Sequence, residues 1–286
     1  NKIILKSTYQ MMQKAGLSLT DISGRAVSLT QKEEVFMTNL AAKIPAIGRI
    51  VRASERSYVG FLNKLRADVY DDLAKGYIEA GKTWDNDPKL FQDLAKFINN
   101  TTGRGDLPWK FNQATPLLNT TFYSPRLMMS RFNTLLNPSW YFQLSPEVRK
   151  EAMKSFVKFI GTGISLVSLA KLAGADVEYD PRSSDFGKIK IGNQRWDIWG
   201  GYQQFARITT QLITGETKST RTGKIYELGA EDWPFANRLE QLSNFVQGKL
   251  APVPSLAFDL MRGQTLIGEK ISLGQEFYNK ITPLYV

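Results

Sequence analysis

The strongest constraint on the fold is a long run of apolar residues that begins after Pro45 and stops at Gly81. Its members recur at steps of three and four residues: Ile47, Ile50, Val51, Tyr58, Phe61, Leu62, Leu65, Val69, Leu73, Tyr77 and Ile78. This spacing places apolar side chains on one face of an α-helix and predicts an amphipathic helix of six or more turns. A helix of this length indicates a fold that is built by packing helices.

Other helices are marked by their start signals. Ser124-Pro125 and Ser145-Pro146 each place a proline at the first helical position behind a serine N-cap. Thr30 and Glu33 form a capping-box pattern that predicts a helix to about residue 43. Helices are also predicted over residues 203–214 and 273–282.

The apolar period changes from three or four residues to two within residues 186–199. Ile189 and Ile191 alternate with Lys188 and Lys190, and Gly192-Asn193 follows as a two-residue turn. This combination predicts a β-hairpin. The fold class that we predict is therefore mainly α, a multi-helix assembly with one small β-hairpin near residues 186–199.

An irregular, aromatic segment at residues 108–125 predicts a division of the chain. We expect an N-terminal helical unit over residues 1–107 and a C-terminal helical unit with the hairpin over residues 108–286. The chain starts with asparagine and ends with ITPLYV, without a polar tail. We therefore expect both units to be a fragment of a longer chain.

Residues 155–175 form an apolar stretch of nearly the length that spans a bilayer. Lys158, Lys171 and three glycines weaken that interpretation, and we favour a buried core helix. A membrane-active segment stays open as the alternative. Gly161 and Gly163 leave space for a neighbouring helix to approach this helix closely.

Neither histidine nor cysteine occurs in the 286 residues. Serine and cysteine nucleophiles paired with histidine are therefore impossible, as are the usual zinc, haem and iron–sulfur sites. The remaining carboxylate pairs are adjacent on helices and point in different directions. We predict that the chain is not an enzyme and has no catalytic residue, no cofactor and no metal site.

The net charge of +10 is typical either of a soluble protein with a basic bias or of a protein that contacts a polyanion, such as nucleic acid or an anionic membrane surface. The candidate nucleic-acid contacts lie on the hairpin and on the turn-rich basic stretch that follows it: Lys188, Lys190, Arg195, Lys218, Arg221 and Lys224. Trp196, Trp199 and Tyr202 lie nearby and are able to stack on bases. The alternative, which we favour, is that these aromatic rings fix the hairpin to the helical core and that the lysines maintain solubility.

The second half of the chain resembles the C-terminal region of very large internal virion, or polyvalent, proteins of tailed phages and prophages. The resemblance covers residues 122–226 and the final ITPLYV, which is about half of the chain. It is carried by four ordered segments: FYSPRLMMSRFNTLLNP, DPRSSDFGKIKIGN, WDIWGGYQQF and LITGETKS.

The resemblance implies a structural protein that is packaged in the virion and ejected into the host with the genome. It implies a contribution to a genome-ejection conduit, with other copies of the chain, other virion proteins, phage DNA and the host membrane as partners. The expected location is the capsid interior or the portal region, and then the host envelope. The resemblance implies no catalytic residue in this chain. The alternative is a nucleic-acid-binding accessory module of a large phage enzyme or a polyvalent effector protein.

Overall fold

The computed structural model describes residues 8–20, 47–107, 117–118, 121–229 and 237–263. The chain is mostly helical and has two small antiparallel sheets, which confirms the predicted mainly α class. The helices predicted at residues 30–43 and 273–282 lie outside the described residues.

The chain divides into two compact units. The first consists of residues 1–119 and 124–156, and the second of residues 120–123 and 157–286. The boundary predicted between residues 107 and 108 rests on a segment that lies largely outside the described ranges, and it stays a prediction.

The first unit is helical throughout its described part. Its elements are α1 (Tyr9–Lys14), α2 (Ile47–Glu79), α3 (Pro88–Thr101), α4 (Pro125–Leu136), α5 (Pro138–Gln143) and the first turns of α6 (Pro146–Leu172). The long helix predicted from the apolar run is confirmed as α2. The helices predicted to start at Pro125 and Pro146 do so, because proline has a helical φ and its missing N–H is not needed in the first turn.

The core of the first unit combines an apolar cluster with a buried polar contact. Tyr70 and Phe91 are fully buried at the centre of the cluster. Beside it, the Asn100 amide donates to Thr134 Oγ1 at 3.0 Å, and the Ser130 hydroxyl donates to the Asn100 carbonyl oxygen. These bonds tie α3 to α4 in an interior where an unpaired polar group would be costly.

The second unit mixes short strands with helices. Its elements after α6 are β1 (Asp176–Val177), β2 (Ile189–Ile191), β3 (Gln194–Trp196), α7 (Tyr202–Thr214), β4 (Glu216–Lys218), β5 (Ile225–Glu227), α8 (Arg238–Gln247) and α9 (Pro252–Arg262). β2 and β3 form the predicted hairpin, in which Lys190 lies opposite Arg195. Gly192 has a φ of +59° in the turn, as a primed two-residue turn requires.

Two strand pairings were not predicted. β1 pairs antiparallel with β2 and makes the hairpin a three-stranded sheet. β4 and β5 form a second hairpin within a stretch for which the sequence predicts only turns. The Gln211 side chain of α7 donates to Thr217 Oγ1 at 3.1 Å and to the Arg182 carbonyl oxygen at 2.7 Å, and these bonds fix β4 to the helix.

Candidate functional site

Two of the three cations predicted on the first hairpin form ion pairs with the same carboxylate. Arg195 Nε is 2.6 Å from Asp185 Oδ2, and Lys188 Nζ is 3.5 Å from Asp185 Oδ1. A small cleft of about 130 Å³ lies beside them. Three carboxylates and three cations line it: Asp176, Glu178, Asp185, Lys188, Lys190 and Arg195. A cleft of such mixed charge does not present the continuous positive surface that a polyanion requires.

Lys218 is also paired. Its ammonium lies 2.6 Å from a Glu178 carboxylate oxygen and 4.0 Å from one of Asp180. The Arg182 guanidinium forms two further ion pairs, at 2.8 Å to Asp180 and at 2.5 Å to Glu216. Hydrogen bonding from the Arg182 guanidinium holds the pKa of Asp180 below its ordinary value. This network is a structural clamp between the β1–β2 loop and β4.

The remaining candidates are more accessible. Arg221 and Lys224 are exposed in the β4–β5 loop, and Lys190 is half-buried on β2. Across residues 121–229, no carboxylate forms an ion pair with any of these three. The stretch from residue 176 to residue 227 nevertheless holds eight cations and seven carboxylates, a net charge of only +1. The strong positive charge of the chain is therefore not concentrated at the predicted nucleic-acid contacts, and those contacts stay a prediction.

The acidic residues around the hairpin have turn and ion-pair roles. Asp180 accepts from Arg182, Asp185 accepts from Arg195, and Asp197 accepts from the Trp199 backbone N–H at 2.8 Å. Within the part of the chain that the structure describes, no group of three carboxylates is arranged to hold a metal ion.

Helix α6 has one face that packs within the second unit. The Trp199 ring lies so close to Gly163 that a Cβ there would be 2.4 Å from it, and its Nε1 donates to the Gly187 carbonyl oxygen at 2.8 Å. Phe159 packs edge-on against Trp199, with 6.1 Å between ring centroids, and in a tilted arrangement against Tyr202, with 5.4 Å between centroids. A close approach at Gly163 is thus confirmed, but the neighbour is the Trp199 side chain and not the predicted helix, and a Cβ at Gly161 would meet nothing within 4 Å.

The rest of the same helix exposes apolar side chains. Exposed fractions are 68% for Val157, 56% for Ile164, 62% for Leu169 and 84% for Leu172. By length and composition α6 is able to cross a membrane: its most apolar 18 residues have a mean hydropathy of 1.4, yet only 11% of them are buried. The favoured prediction of a buried core helix is therefore wrong. Trp199 packs on one side of the helix, at Gly163 and Phe159, while Val157, Ile164, Leu169 and Leu172 are exposed.

Exposed apolar residues on several sides of one helix are unusual in water. A helix that is apolar all round normally lies in a protein core or in a lipid bilayer. Lys158 and Lys171 interrupt this surface, but long lysine side chains are able to extend to a polar boundary while their stems stay in apolar surroundings. The apolar surface of α6, defined here by Val157, Ile164, Leu169 and Leu172, is thus suited to contact with lipid.

Comparisons with known proteins add no further constraint. No protein-family model matches the chain, and neither a curated protein nor a solved structure matches it significantly.

Proposed function

We propose that the chain is a structural, non-enzymatic protein of a tailed-phage virion that is ejected into the host and contributes to a genome-ejection conduit in the host envelope. The observation that carries the proposal is the apolar surface of α6, which is exposed on a helix long enough to cross a bilayer. The resemblance of residues 122–226 to large internal virion proteins supports the same conclusion.

The proposed location follows from this role. The chain travels inside the virion, in the capsid interior or near the portal, and enters the host envelope after ejection. Its partners are other copies of the chain or other virion proteins, together with the lipid that the apolar surface of α6 contacts. The absence of cysteine supports the proposal, because a chain that is threaded through a narrow tail and refolded is not obstructed by disulfide bonds.

A direct test uses the purified chain and vesicles of phosphatidylethanolamine and phosphatidylglycerol. We expect the protein to float with the vesicles in a density gradient and to form rings or tubes on them that are visible by electron microscopy. A protein that stays monomeric and remains at the bottom of the gradient at every lipid concentration would refute the proposal.

A second function has one observation in its favour. Lys190, Arg221 and Lys224 have no ion-pair partner among the described residues, so they are available to bind phosphates in a nucleic-acid-binding accessory module. This alternative predicts DNA binding that weakens steeply with salt and that is lost when all three are changed to glutamate. Binding that survives this change would exclude these residues as the contact.

A further inference from the structure

Two cations of the second unit lie close together without a carboxylate. Arg207 is on α7, and Lys249 follows the end of α8. Lys249 Nζ donates to Gln204 Oε1, and Gln204 is three residues before Arg207 on α7. Residues three apart share one face of a helix, so the ammonium and the guanidinium are neighbours on that face.

Each of these two groups is held in place by neutral partners. Arg207 donates from Nη1 to the Ser184 hydroxyl at 2.7 Å. The Lys249 ammonium lies over the Phe245 ring, 5.2 Å from its centroid. Among the residues that the structure describes, neither cation has an ion pair.

The interactions leave donors unused. Arg207 Nε is buried and has no hydrogen-bond partner. Arg207 and Lys249 are both half-buried, so their other N–H donors are accessible to water or to a bound acceptor. A buried N–H without an acceptor is costly, and such a group indicates a missing acceptor.

The pKa shifts of the two cations also indicate that they lack a counter-charge. Burial lowers the pKa of Arg207. Burial also lowers the pKa of Lys249, and the positive charge of Arg207 lowers it further. Other arginines of the second unit have carboxylate partners. Arg182 and Arg195 form ion pairs with N–O distances of 2.5 to 2.8 Å. Two half-buried like charges without a counter-charge repel each other, and an anion bound between them would relieve that repulsion.

We propose that Arg207 and Lys249, with the Ser184 hydroxyl, form a binding site for a phosphate group that carries close to two negative charges. A phosphate monoester or inorganic phosphate has a charge of about −1.5 to −2 near pH 7, which balances two cations. A single carboxylate would neutralise only one of them. A phosphate also has enough acceptor oxygens for the guanidinium of Arg207 and the ammonium together. The site is separate from the predicted nucleic-acid contacts and does not depend on the apolar surface of α6.

The test uses inorganic phosphate as the probe. Phosphate is titrated into the chain by calorimetry, and the unfolding temperature is followed over the same concentrations. We expect saturable binding and a saturable rise in the unfolding temperature. Arg207→Met and Lys249→Met should each lower the phosphate affinity by roughly 10- to 100-fold, the factor that a hydrogen bond to a charged group contributes.

Matched controls separate the site from general salt effects. Arg221→Met and Lys224→Met remove exposed cations of the same unit and should bind phosphate as the unmodified chain does. Phosphate also stabilises proteins non-specifically by exclusion from their surface. An equal rise in unfolding temperature for all variants, or no binding by the unmodified chain, would overturn the proposal.

The stability of variants at Lys249 provides a second test of the phosphate site. Because each methionine removes one of two repelling charges, Lys249→Met should be at least as stable as the unmodified chain in phosphate-free buffer. Lys249→Gln, which keeps a polar head group, covers the case in which methionine disturbs folding. If both Lys249 variants fold and still bind phosphate with unchanged affinity, Lys249 is not part of a phosphate site and the proposal fails.

Competition identifies the source of the phosphate. A 5′-phosphorylated oligonucleotide that displaces inorganic phosphate, when the unphosphorylated one does not, would assign the site to a nucleic-acid end. Displacement by phosphatidic acid vesicles but not by phosphatidylcholine vesicles would assign it to a lipid. If neither displaces the probe, inorganic phosphate itself is the ligand.

Discussion

Replacing Ile164, Leu169 and Leu172 by glutamine tests the apolar surface of α6 without disturbing the fold. These side chains are 56%, 62% and 84% exposed, so little packing is lost when they are changed. Glutamine has a high helix propensity and should keep α6 intact. The free energy of unfolding in water should therefore change by no more than about 0.5 kcal/mol per position, as for other surface substitutions.

The effect on lipid binding should be much larger. Complete transfer of one such side chain from water to an apolar phase contributes about 2 kcal/mol. Scaled by the exposed fractions, the three side chains together contribute about 4 kcal/mol to membrane binding. Since 1.4 kcal/mol corresponds to a factor of ten, the triple variant should show a partition coefficient that is lower by roughly 1,000-fold.

The assay is flotation with phosphatidylethanolamine and phosphatidylglycerol vesicles over a range of lipid concentrations. The control variant carries glutamine at Ile213, Leu239 and Met261, which are 75%, 78% and 87% exposed on α7, α8 and α9. It should float as the unmodified chain does. The reasoning is refuted if both triple variants lose binding equally, or if the α6 variant binds as well as the unmodified chain.

Two further predictions concern the stability of the second unit. Gly163→Ala should lower its free energy of unfolding by roughly 1–3 kcal/mol, because the new Cβ would lie 2.4 Å from the Trp199 ring. The control is Gly161→Ala, whose Cβ would meet nothing within 4 Å. It should raise the free energy of unfolding by up to about 1 kcal/mol, because alanine has a higher helix propensity than glycine. Equal urea midpoints for these two variants would contradict the packing argument. Arg182 lowers the pKa of Asp180, so the stabilisation by this carboxylate is fully present above the ordinary aspartate pKa of about 3.9 and is lost as pH falls through the lowered pKa. Urea unfolding of the unmodified chain and of Asp180→Asn should differ by roughly 1–3 kcal/mol between pH 5 and 7, and by less as pH falls below about 4; a difference independent of pH would count against the Arg182 contact.

Features that depend on neighbouring residues could be predicted from the sequence. The first hairpin requires only the alternation around Ile189 and Ile191 and the turn at Gly192-Asn193, all within a few residues. The starts of α4 and α6 follow from Pro125 and Pro146 for the same reason. Each of these elements is fixed by local backbone preferences.

Features that depend on distant residues could not be predicted in this way. β4 has no apolar alternation, and it is positioned by Gln211 and by ion pairs to Glu178 and Arg182 from the β1–β2 region. The same pairs neutralise Lys218, whose partner Glu178 is 40 residues away in the chain. The sequence alone therefore does not show whether a basic residue is available to bind a ligand or is already paired with a carboxylate from a distant part of the chain.

The exposure of α6 shows a different limit. Its apolar composition indicates only that the helix is more stable away from water, and both a protein core and a lipid bilayer provide such surroundings. The structure shows that Trp199 covers one side of the helix and that apolar side chains elsewhere on it are exposed, while contact with lipid stays a proposal. The unsatisfied donor of Arg207 is likewise invisible in the sequence, since it follows from the absence of a partner and not from the presence of a residue.

The contact between Trp199 and Gly163 also makes this helix observable by optical spectroscopy. The indole ring packs on α6 and against Phe159, while its N–H is held by the Gly187 carbonyl oxygen. Any event that draws α6 away from the unit would expose the ring to solvent and break that hydrogen bond, and both changes alter the fluorescence of an indole. With the other tryptophans replaced by phenylalanine, the emission of Trp199 would record the departure of the helix in real time.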